Sequence, residues 1–75
     1  MDSEAAKYIG AGIAIGLGAI GPALGEGNIA ARTMEAIGRN PEASGKISPL
    51  MFVAMAITES TGIYALVVAL IILFA

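Results

Sequence analysis

Two long stretches of the chain carry almost no charge, and a short segment between them carries half of it. From Tyr8 to Ala31 the only charged residue is Glu26, and from Ile47 to Ala75 the only one is Glu59. Between the stretches, Arg32, Glu35, Arg39, Glu42 and Lys46 crowd together. A helix crossing the hydrocarbon core of a bilayer needs roughly 20 apolar residues, and each stretch exceeds that. The pattern predicts one helix over about residues 5–38, a polar loop over 39–44 and a second helix over 45–75, all within a single domain. Asn40-Pro41 marks the turn, because the residue before a proline avoids helical geometry. Helices of this length rise on the order of 45–50 Å and protrude beyond a core about 30 Å thick.

Inside the first helix the small residues have their own order. Gly10-Ala11-Gly12-Ile13-Ala14-Ile15-Gly16-Leu17-Gly18 alternates small residues with larger ones. At about 100° per residue, Gly10, Ala14 and Gly18 fall on one flank, and Gly12 and Gly16 about 200° away. Gly21 and Gly25 rejoin the first flank, Ala23 and Ala30 the second. Glycine costs a helix in water about 1 kcal/mol relative to alanine. In lipid the backbone must still satisfy its own hydrogen bonds, so a helix remains the expectation, and small residues let neighbouring backbones approach. One small flank serves a single partner; two opposed flanks suit a neighbour on either side, as in a closed ring. The expected fold class is an all-α membrane protein, a two-transmembrane-helix hairpin assembling into a homo-oligomeric ring.

Glu26 and Glu59 carry the candidate chemistry. They lie equally far along the chain from the point between Glu42 and Ala43, inside the expected loop. In an antiparallel hairpin both carboxyls therefore reach one level, roughly 20–25 Å from the loop by helical rise. An ionisable group inside a membrane costs a few kcal/mol or more and is a functional candidate by default. Two carboxyls close together in low dielectric cannot both stay ionised without a cation. Thr58, Ser60 and Thr61 add hydroxyl oxygens at that level, so a small hard cation is a second possible occupant. The plain alternatives are a hydrogen-bonded staple between the helices and hydroxyls that bond their own backbone.

Composition narrows the class. Of the 75 residues, 57% are hydrophobic and 13% charged, about half the charge of an ordinary soluble domain. With no Cys and no His, a disulfide framework, a zinc site and a histidine base are excluded. Four Lys and Arg against six Asp and Glu give a net charge of −2, which argues against a nucleic-acid partner. Three of those four cations lie at the loop end, so the positive-inside tendency puts the loop in the cytoplasm and both termini outside. The acidic amino end and the long apolar run argue against a cleaved signal peptide. Arg32 and Glu35 are spaced to pair, and Pro22 and Pro49 to bend their helices.

With these residues in view, the chain resembles the c subunits of rotary F-type ATP synthases, the proteolipids of the membrane rotor ring. The resemblance spans nearly the whole chain: the Gly/Ala stretch from Gly10 to Gly18, the loop Arg39-Asn40-Pro41, Glu59, and the run Gly62-Ile63-Tyr64-Ala65-Leu66-Val67-Val68-Ala69-Leu70. It implies a lipid-embedded ring of identical hairpins in the cell (inner) membrane, helix one inside. Glu59 would take an ion from a half-channel of the stationary a subunit, bear it around the ring and release it. The Arg39, Asn40 and Pro41 loop would dock on the central-stalk subunits. The chain would be non-catalytic and carry no cofactor, with H+ or Na+ as the transported ion. Sodium-type members suggest Glu26, Glu59, Ser60, Thr61 and the Ile57 carbonyl as ligands, with Tyr64 holding Glu59. Ser60 and the oxygen count favour sodium competence, while Glu rather than Gln at position 26 departs from the commonest sodium pattern. Competing classes are a membrane hairpin regulating a larger transporter and a self-assembling channel, for which the inner helix offers too few polar residues.

Overall fold

The computed structural model describes residues 2–75. Helix α1 spans Ser3–Arg39, a single 3-10 turn spans Pro41–Ala43, and helix α2 spans Ser44–Phe74. The helices lie antiparallel in a rod of 58 × 16 × 9 Å. Both are long and apolar enough to cross a membrane. The first begins two residues before the expected start and takes in Arg39.

Local chemistry accounts for these ends. Asp2 has an extended backbone and its side chain accepts a hydrogen bond from the Ala5 N–H at 2.7 Å, capping one of the orphan donors of α1. Glu4 in the first turn and Arg39 in the last complement the helix dipole. Asn40, at φ −143° and ψ 81°, has left the helical region as Pro41 requires of its predecessor. Pro41 then opens the 3-10 turn, where its missing N–H goes unneeded. Pro22 and Pro49 both sit within continuous helices, Pro22 buried and Pro49 exposed.

Among the described residues, α1 buries Ala11, Pro22 and Thr33, each eleven residues after the last, so its contact stripe returns every three turns. Helix α2 answers with Gly62 and Ala69. Gly18 meets the Ala65 methyl so closely that a Cβ would not fit, and a Cβ at Gly25 would lie 2.9 Å from Thr58 Cγ2. Near the open end, Lys7 Nζ donates to the Ala75 carbonyl at 2.5 Å. The core ends there. Leu17, Leu24, Leu50, Phe52 and Phe74 are all exposed, and no water-soluble chain leaves such an apolar girdle bare. Lipid or further protein must cover it.

The glycines of α1 divide by what they meet. Gly10 and Gly18, expected on one flank, face α2, with Ile72 Cγ2 lying 3.5 Å from where a Cβ would sit at Gly10, and Ala14 beside them is half-buried. A Cβ added at Gly12 or Gly16 would meet no described atom within 4 Å beyond the local helix backbone. One assignment needs correction. Gly21 is exposed with nothing within 4 Å, because its sequence neighbour Pro22 holds the middle of the contact about 100° away.

Candidate ion-binding site

The antiparallel register brings Glu26 and Glu59 to one level. Nearby pairs confirm it: Gly18–Ala65 and Gly25–Thr58 centre between Pro41 and Glu42, within a residue of the point midway between the two acids. Both glutamates are half-buried, one on each of the two facing helices. Fifteen residues separate Glu59 from the first residue of α2, a rise of about 22 Å, which is deep inside a bilayer.

The remaining candidates are arranged around that pair without converging on it. Thr58 turns its methyl to Gly25 and donates its hydroxyl to the Ala54 carbonyl at 2.9 Å. Ser60 donates to the Ile57 carbonyl at 2.6 Å, and Thr61 to the Thr58 carbonyl at 2.7 Å. These bonds satisfy the hydroxyl protons inside the helix and leave oxygen lone pairs unused. Ser60 is half-buried, whereas Ile57, Thr61 and Tyr64 lie on the outward side of α2, Ile57 and Tyr64 more than two-thirds exposed. The Tyr64 hydroxyl makes no hydrogen bond among the described residues. A single chain thus brings the two acids to one level and leaves Thr61 and Tyr64 facing outward. No cluster of three or more acidic residues, Cys or His suited to a metal occurs among the described residues.

At the loop end, Arg39 occupies the last turn of α1 instead of the loop, with Asn40 and Pro41 exposed beyond it. Glu35 pairs with Arg32 as expected, at 4.0 Å, and more closely with Arg39, at 2.7 Å. The i,i+4 spacing with the acid N-terminal wins over i,i+3. Sequence reasoning also missed Gly62 as a site residue, although it lies one turn from Glu59. The contact is close: a Cβ there would lie 2.9 Å from Glu59 Oε1.

Comparison with known proteins bears on the same residues. The family model of the ATP synthase c subunits matches residues 9–72, the span holding both glutamates and the loop. The ATP synthase c subunit of Petrotoga mobilis (strain DSM 10674 / SJ95) is 62% identical over 68 residues, covering 91% of this chain and 71% of its own. That of Prochlorococcus marinus (strain AS9601) is 54% identical over 77 aligned positions, covering 100% of this chain and 95% of its own. In Cereibacter sphaeroides (strain ATCC 17029 / ATH 2.4.9), the ATP synthase c subunit numbered 2 is 51% identical over 72 residues, 96% of this chain and 87% of its own. A family match over most of the chain, on two helices of membrane-spanning length, makes this a membrane hairpin belonging to the family of ATP synthase c subunits, a structural rotor component without catalysis of its own.

Proposed function

We propose that this hairpin is the ion-carrying unit of a rotor ring, with Glu59 binding and releasing one cation per passage and Glu26 as its companion acid. The observation that carries the reading is the pair of half-buried glutamates, one on each helix, that the antiparallel register brings to one level. A neutralised Glu59 tolerates lipid, whereas an ionised one needs a counter-charge, which the stationary a subunit would supply. Each ion crossing the potential delivers about 2.3 kcal/mol per 100 mV, and the ring converts that into rotation. The loop end, with Arg39, Asn40 and Pro41, faces the cytoplasm and the central-stalk subunits; both termini lie outside.

The open flank of α1 with Gly12 and Gly16, and the outward oxygens of α2, are the surfaces that identical neighbours would cover. Ser60, Thr61 and the Ile57 carbonyl would then reach a cation held at Glu59 of one copy or the next, and Tyr64 would orient the carboxylate. A proton needs one carboxyl and an acceptor; sodium needs several oxygens, and this site has them nearby. We infer sodium competence, with protons carried when sodium is scarce.

Carbodiimide labelling tests the reading, since the reagent attacks a protonated, accessible carboxyl. Glu59 should be labelled in the detergent-solubilised oligomer, and more slowly as sodium rises at fixed pH. Labelling that ignores sodium leaves a proton carrier. Absence of labelling at any pH contradicts the ion site and leaves Glu26 and Glu59 as a staple.

A further inference from the structure

We infer that Gly62 is a positioning residue for the ion site: its missing side chain is the space that lets the Glu59 carboxyl fold back against α2 and turn toward Glu26. The inference rests on the ion-site reading above and adds a residue to it. Every Cα–Cβ bond in a helix tilts toward the N-terminus, so a Cβ at position 62 would be aimed into the turn that Glu59 occupies. It would lie 2.9 Å from Glu59 Oε1 and 3.6 Å from Cδ.

The rival explanation is helix packing, and the distances decide against it. The same Cβ would lie 3.5 Å from Pro22 Cγ on the facing helix, an ordinary van der Waals contact. Packing against α1 therefore tolerates alanine here; the carboxyl does not. Gly18 shows the opposite case, since what it excludes is the Ala65 methyl, fixed to a backbone. At Gly62 the excluded atom is the far end of a flexible side chain, so a methyl there displaces the carboxyl and leaves the hairpin standing.

The test is the coupling of two substitutions read by the carbodiimide labelling rate of Glu59 in the full-length solubilised oligomer. In the parent chain Glu26→Gln should change the rate by about fivefold, the scale on which groups in contact couple. With Gly62→Ala in place the carboxyl no longer faces position 26, and Glu26→Gln should then change the rate by less than about twofold. An equal effect of Glu26→Gln in both backgrounds overturns the role of Gly62 while the ion site stands. A parent chain that is never labelled removes the ion site and this inference together. Should Gly62→Ala fail to assemble, Glu59→Asp/Gly62→Ala decides, because the shorter acid does not reach the added methyl. Assembly restored by Asp supports the positioning role; assembly still lost assigns Gly62 to packing.

Discussion

Two flanks of the same helix, built from the same residue types, behave in opposite ways. Gly18 and Gly25 on one flank of α1 are sealed against Ala65 and Thr58, whereas a Cβ added at Gly12, Gly16 or Gly27 would meet no described atom within 4 Å beyond the local helix backbone. A glycine in a membrane helix loses stability unless something comes close enough to use its missing side chain. The sealed flank has its use inside one chain. The open flank has none until a neighbour arrives, so the contrast separates what makes the hairpin from what would make the ring.

The largest effect should come from closing the sealed flank. Gly18→Ala forces two methyl groups into one space and should cost the hairpin about 1–3 kcal/mol, seen as a lower temperature for loss of helix packing in detergent. Ala65→Gly in the same chain should restore much of it. Next comes the open flank. Gly16→Ala should leave the separated hairpin as stable as the parent and weaken the assembled oligomer by about 1–2 kcal/mol per contact, read from its heat stability on native gels. An oligomer indifferent to Gly16→Ala and Gly12→Ala would break the comparison.

Smaller effects sharpen it. Gly25→Ala meets only the Thr58 methyl, which can yield a little, and should cost the hairpin about 1 kcal/mol. Glu35→Ala removes an exposed ion pair with Arg39 and should change stability by about 0.5 kcal/mol or less.

Much of this was legible in the residue pattern because symmetry carried it. The equal distances of Glu26 and Glu59 from the turn require only an antiparallel hairpin, and Asn40-Pro41 locates that turn. The flanks followed from the helical angle, except at Gly21, which sits on the rim because Pro22 takes the centre of the contact. What the pattern could not give was rotamer choice. Ser60 and Thr61 donate to the carbonyls of Ile57 and Thr58, Glu35 lies closer to Arg39 than to Arg32, and the Glu59 carboxyl lies over Gly62; each depends on side-chain torsions. Residue spacing does not encode those.

The central claim is that the two membrane-level acids meet within one chain. Replacing both, as Glu26→Cys and Glu59→Cys, and treating intact membranes with a short thiol-specific cross-linker tests it most directly. The account predicts a cross-link closed within single chains, which leaves the denatured product at monomer mass with both thiols consumed. Cross-links found only between chains, or none while Gly25→Cys with Thr58→Cys closes readily, would contradict it.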